Sequence, residues 1–118
     1  MSGDARLARL SEMVDMVLQA RSAELSRIAT AREALKAQLA ALDAPRPAEG
    51  LSPAATALVC FDYETWASRR RADLNLQFAA RQAEWLLHLD ETRRAFGRAQ
   101  VLQRLQVAER QKRRDQLS

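Results

Sequence analysis

The chain has 118 residues, enough for one domain but short for two. With three glycines, three prolines, one cysteine and 5% aromatic residues, it favours helix over strand and excludes an internal disulfide and a compact globule of several layers. The net charge of +4 resides in residues 93–118, where eight basic and two acidic side chains give +6.

The first predicted helix covers about residues 3–43. Its apolar side chains recur at spacings of three and four residues, which is typical of a helix with one buried face. A strict seven-residue count gives a coiled-coil seam with one polar interruption: Leu7, Val14, Arg21, Ile28, Leu35 and Leu42.

A turn is predicted at residues 44–52, because Pro45 and Pro47 each remove a backbone donor and cannot continue the helix. Ser52 supplies a capping hydroxyl and Pro53 fits the first helical position, so a second helix is predicted over about residues 53–114. Its predicted apolar stripe comprises Leu58, Phe61, Trp66, Leu74, Phe78, Trp85, Leu89, Phe96, Ala99, Leu102 and Leu105.

The predicted fold is all-α: residues 1–118 form a single antiparallel two-helix coiled coil, a long α-hairpin with the second helix overhanging. A turn centred near residue 48 would pair residues whose numbers sum to about 96. That register brings Leu39 to Leu58, Leu35 to Phe61, and Leu10 to Trp85, so apolar residues meet at nearly every level.

One polar layer interrupts this seam in the middle, where Arg21 and Glu24 would face Arg70, Arg71 and Asp73. Two interpretations stay open. The layer locks the register, with Glu24 paired to Arg70 or Arg71 and Arg21 paired to Asp73. Alternatively, these long side chains simply extend to solvent at a weak point of the seam.

In the same register the first helix ends opposite about residue 94, so residues 95–118 are predicted to overhang without a partner. This segment keeps an apolar pattern within an arginine-rich helix, which indicates a docking surface for another protein. The alternative is a solvated helix end, whose arginines complement the negative pole of the helix dipole. That alternative accounts for Arg110 to Arg114 but leaves Phe96, Leu102 and Leu105 unexplained.

No catalytic or cofactor chemistry is predicted. One histidine and one cysteine cannot supply the ligands of a zinc site, and the sequence has no glycine-rich phosphate loop. Two other binding functions are compatible with the pattern. The basic clusters of the second helix could contact nucleic acid, although acidic residues on the same helix disfavour it. The chain could also be a generic scaffold that dimerises through the overhang.

The ending of the second helix resembles the FliJ family, which comprises the stalk proteins of the flagellar type III export apparatus and is related to the stalk proteins of injectisomes. The resemblance lies in a two-helix coiled coil, in tryptophans along the second helix, and in the arginine, leucine and glutamine pattern of residues 93–110. It implies a non-enzymatic, cytoplasmic protein of flagellum biogenesis and motility, which lies at the membrane only through its partners.

The resemblance also implies partners. Family members insert their paired helix ends into the hexameric export ATPase, contact the export gate and escort substrate chaperones. By position, Arg98, Leu102, Arg104, Leu105, Glu109 and Arg110 would face the ATPase ring. Together with the apolar overhang, this gives a predicted partner-binding set of Phe96, Arg98, Val101, Leu102, Arg104, Leu105, Glu109 and Arg110.

Overall fold

The computed structural model describes residues 2–44 and 50–118, and these form an antiparallel α-hairpin of two helices. Helix α1 spans Ser2–Leu42 and helix α2 spans Pro53–Leu117, with 41 and 65 residues respectively. No strand occurs in the described ranges, so the predicted all-α hairpin fold is confirmed. Pro45 and Pro47 of the predicted turn lie outside the described residues. Neither helix contains a stretch that is both long and apolar enough to cross a bilayer.

Helix α2 begins where its capping residues indicate. The Ser52 hydroxyl oxygen accepts a hydrogen bond from the Ala55 backbone amide at 3.2 Å, and Pro53 is the first helical residue. The backbone N–H of the first helical residue has no acceptor within the helix, so proline, which lacks this N–H, loses no hydrogen bond at this position. Gly50 precedes the cap with a φ of 80°, a left-handed conformation that glycine adopts without a steric penalty.

The chain divides into two compact units. One, here called the loop-side unit, is Ile28–Glu84, and it contains the connection between the helices. The other, here called the terminal unit, combines Met1–Arg27 with Trp85–Ser118. Each unit is a two-helix segment with its own buried seam, so each can be described from its own contacts.

The buried cluster of the loop-side unit is built from leucines and one alanine. Ala67 and Leu74 are 0% and 1% exposed, and they form a buried cluster with Leu35 and Leu42. The partly buried side chains that pack on it are Leu39, Tyr63 and Phe78. Tyr63 also donates a hydrogen bond from its hydroxyl to the Leu42 carbonyl at 3.0 Å, which satisfies a carbonyl at the end of α1.

The register of this unit differs from the predicted one. Lys36 Nζ lies 5.9 Å from the centre of the Phe78 ring, and Arg32 donates to Gln82 at 3.0 Å, so facing residues have numbers summing to about 114 instead of about 96. The predicted pairs of Leu39 with Leu58 and Leu35 with Phe61 are therefore wrong. Leu58 and Phe61 are 66% and 69% exposed.

The terminal unit contradicts the predicted overhang of residues 95–118. Ala95 and Leu102 are only 2% and 8% exposed, which places both in a seam. Near the chain ends, Arg113 forms an ion pair with Asp4. A small groove joins Asp4, Leu7 and Ala8 of α1 to Gln106, Arg110 and Arg113 of α2. The start of α1 thus covers the end of α2, and α2 is left uncovered at its beginning, around Leu58 and Phe61.

Candidate functional site

The predicted partner-binding residues all lie on α2 in the terminal unit, but they do not share one environment. Leu102 is buried in the seam, and Glu109 is half-buried. Leu102 and Glu109 follow the buried Ala95 by seven and fourteen residues, so all three lie on the side of α2 that faces the seam. The other six are exposed: Phe96, Arg98, Val101, Arg104, Leu105 and Arg110. Leu102 therefore stabilises the hairpin, and the exposed members are the candidates for contacting a partner.

The exposed apolar members fall on two faces of the helix. At about 100° per residue, Val101 and Leu105 are about 40° apart, whereas Phe96 and Val101 are about 140° apart. Val101 and Leu105 thus lie on one side of the seam, and Phe96 lies on the other side. A single flat partner surface can contact Val101 and Leu105 together, but not Phe96 at the same time.

Val101 borders a groove that the two helices of the terminal unit form together. Its volume is about 680 Å³, and we call it the terminal groove. It is lined by Leu10 and Val14 of α1 and by Arg94, Gly97, Arg98, Val101 and Leu102 of α2. Leu10 and Val101 are 48% and 54% exposed, so the groove presents apolar side chains to solvent. At Gly97 an added Cβ would meet nothing within 4 Å, so the space beside this residue is open.

Further exposed apolar residues continue this side of the terminal unit. Met13 and Val17 on α1 follow Leu10 at helical spacings of three and seven residues, and Leu105 on α2 follows Val101 by four. The partner-binding set predicted from the sequence contains no residue of α1. Leu10 and Val17 belong to the apolar stripe of α1, and the stripe alone does not distinguish seam residues from their exposed neighbours.

Two arginines line the terminal groove, Arg94 and Arg98. Arg94 pairs with Asp90 at 3.1 Å, and Arg113 pairs with Asp4. Arg98 is exposed and forms no ion pair with the residues that the structure describes, whereas Arg104 and Arg110 line other grooves of the terminal unit. Exposed guanidinium groups beside an apolar groove favour a partner that is apolar at its centre and acidic at its edge.

The predicted register layer has different partners. Arg21 donates from Nη1 to Glu91 Oε2 at 2.8 Å across the seam of the terminal unit. Arg71 donates to Asp43 at 2.8 Å within the loop-side unit. The predicted pairs of Arg21 with Asp73 and of Glu24 with Arg70 or Arg71 are wrong, because the real register places these residues in different units.

The remaining members of that layer form hydrogen bonds within their own helix or to the other helix of the same unit. Arg70 bonds Asp73 and Gln38, each at 3.3 Å. Glu24 accepts a hydrogen bond from Arg27, and this bond, together with the charge of Arg27, lowers the pKa of Glu24 below its usual value. All of these side chains are substantially exposed, so the pairs contribute little to stability.

His88 lies beside the Arg21–Glu91 pair and is more buried than a surface residue. Its side chain is 24% exposed, and its Nδ1 atom lies 3.8 Å from Glu91 Oε2. This nitrogen is buried and has no hydrogen-bond partner among the residues that the structure describes. Its neighbour Thr92 donates a hydrogen bond to the His88 carbonyl at 2.7 Å. The seam of the terminal unit is thus polar here and apolar at Ala95 and Leu102.

Within the described ranges, no three His, Cys, Asp or Glu side chains are placed so that they could hold a metal ion. The single cysteine, Cys60, is exposed. Comparison of the chain with protein-family models, with curated proteins and with solved structures finds no match.

Proposed function

We propose that this protein is a non-enzymatic stalk or adaptor of a flagellar or related type III export apparatus, and that it binds the hexameric export ATPase through its paired helix ends. The export gate and substrate chaperones are further partners in this role. The proposal rests on the resemblance of residues 93–110 to the FliJ family. It also rests on one structural observation, which is the pairing of the start of α1 with the end of α2.

The paired helix ends form a narrow, preformed surface, which a stalk that binds a protein ring requires. The Asp4–Arg113 ion pair and the groove formed by Leu7, Ala8, Gln106 and Arg110 hold the two helices together close to their termini. Two packed helices measure about 20 Å by 10 Å in cross-section, which is narrow enough to enter the opening of a protein ring. An unpaired overhanging helix would be marginal on its own in water, so pairing makes this end a preformed surface.

The terminal groove supplies the contacts. Val101 and Leu105 expose apolar surface, and Arg98 adds positive charge beside it. Apolar anchors surrounded by charged residues are typical of protein interfaces, in which a few central side chains carry most of the binding energy. The partner surface on the ATPase is therefore expected to be apolar at its centre and acidic at its edge.

The test is a Val101→Asp variant with Val59→Asp as its matched control. Both valines are 54% exposed on α2, but Val59 belongs to the loop-side unit. Binding to the purified flagellar export ATPase of the same organism is measured by biolayer interferometry. Placing a carboxylate at the centre of the interface should weaken binding by about 30-fold or more. The control should bind within about twofold of the unchanged chain.

Circular dichroism should show that both variants keep their helical content, since both positions face solvent. Equal binding by Val101→Asp and the unchanged chain would refute the proposed surface. No binding of the ATPase by the unchanged chain, together with salt-sensitive binding of duplex DNA, would support the nucleic-acid alternative instead.

A further inference from the structure

The outer face of α2 in the loop-side unit carries a second stripe with coiled-coil spacing. Its residues alternate at intervals of four and three, and we call this set the outer stripe: Leu58, Asp62, Thr65, Arg69, Ala72 and Leu76. All six are exposed, and Leu58 and Leu76 at its two ends are 66% and 73% exposed. The stripe lies on the side of α2 away from the seam residues Ala67 and Leu74, so α1 does not cover it.

The stripe is complementary to itself when its direction is reversed. If two copies pack antiparallel through the outer stripe, with the two-fold axis at the level of residue 67 along the helix, Leu58 of each copy lies opposite Leu76 of the other. Asp62 of each copy then lies within one helical turn of Arg69 of the other. Thr65 and Ala72 lie between these contacts, and their small side chains allow the helices to approach closely.

The two charges of the stripe form no ion pair within the described residues of the loop-side unit. Of the three consecutive arginines, Arg70 pairs with Asp73 and Arg71 pairs with Asp43. Asp62 and Arg69 form no ion pair with the described part of the chain. A stripe with an exposed leucine at each end and one unused charge of each sign therefore remains on this face.

We propose that a second copy of this chain packs antiparallel on the outer stripe and forms a two-fold symmetric dimer. A two-fold contact uses the same patch on both copies, so the patch must supply both members of every pair. The outer stripe does so, with leucines at both ends and opposite charges between them. Phe61, which is 69% exposed, lies beside Leu58 and widens the apolar contact. This inference does not depend on the proposed export function, which uses residues of the terminal unit.

The test exchanges the two charges. Asp62→Arg and Arg69→Asp are made singly and together, and the mass of each protein is measured by sedimentation equilibrium. Each single variant places like charges opposite each other at two symmetric sites, so the dimer dissociation constant should rise about tenfold or more. The double variant restores opposite charges and should dimerise like the unchanged chain.

Mixing the two single variants gives the sharpest outcome. A heterodimer of Asp62→Arg with Arg69→Asp has an opposite-charge pair at both sites, so the equimolar mixture should dimerise about tenfold or more tightly than either component alone. Glu64→Arg is the matched control: it makes the same change in net charge two residues away, off the stripe, and should dimerise normally.

Three results would overturn the proposal. The first is an unchanged chain that stays monomeric up to about 0.5 mM, which would leave the stripe to a different partner. The second is a dimer that neither single variant weakens. The third is a mixture of the two single variants that stays monomeric. Because the ATPase test uses Val101, failure of either proposal leaves the other standing.

Discussion

Replacing Ala95 with aspartate should destabilise the protein by about 2–4 kcal/mol, because it places an unpaired carboxylate in a seam. Ala95 is 2% exposed, and it shares its seven-residue spacing with the buried Leu102. In an unpaired overhang the same change would cost only the difference in helix propensity, about 0.7 kcal/mol or less. The substitution therefore distinguishes the observed hairpin from the one that the turn position predicts.

Thermal unfolding followed by circular dichroism measures this effect. At about 4 °C per kcal/mol for a chain of this size, the Tm of Ala95→Asp should fall by about 8–16 °C. Ala108→Asp is the matched control, since Ala108 is exposed on the same helix and the change in helix propensity is the same. A fall in Tm no greater than that of the control would show that Ala95 does not lie in a seam.

Truncating Leu74 to alanine should cost about 2–4 kcal/mol of stability in the loop-side unit. Leu74 is 1% exposed, and it is the largest fully buried side chain among the described residues. Its removal takes apolar surface from the cluster of Leu35, Leu42 and Ala67 and leaves a cavity that two helices can fill only in part.

Urea unfolding provides the measurement, with Leu86→Ala as the control. Leu86 is 54% exposed on the same helix, so its truncation should change the free energy of unfolding by about 0.5 kcal/mol or less. If the two variants lost the same stability, Leu74 would not be part of a core.

The seam of α1 could be predicted from the sequence because its large apolar residues recur every seven positions. Ile28, Leu35 and Leu42 of that count are buried in the structure. Arg21 is the polar member of the count, and its guanidinium group extends to Glu91 across the seam. The hairpin itself was predictable as well, because two prolines and one glycine between two apolar helical patterns permit little else.

The seam of α2 could not be predicted in the same way, because its most buried residues include alanines. Ala67 and Ala95 are 0% and 2% exposed, whereas Trp66 and Phe96, next to them in sequence, are 53% and 52% exposed. A seam between two closely packed helices favours small side chains. A prediction that ranks apolar residues by size therefore assigns the larger neighbour to the seam instead of the alanine.

The register was missed for a related reason. A short turn centred near residue 48 pairs the first residues of α2 with the last residues of α1, and this assumption shifts every later pair. In the structure, the first turns of α2 expose Leu58 and Phe61, and the alanine and leucine seam sets the alignment. The eight candidate site residues inherited the shift, which is why buried Leu102 was counted among them.

The pairing of the two chain ends is the claim on which the proposed function depends, and one distance tests it. Spin labels are attached at Ala8 and Arg110 in a Cys60→Ser background, and their separation is measured by double electron–electron resonance. Both residues line the same small groove of the terminal unit, so a mean distance below about 20 Å is expected. The register centred on residue 48 would instead separate the two positions by about 33 Å along the helices, so a mean distance of about 30 Å or more would contradict the account.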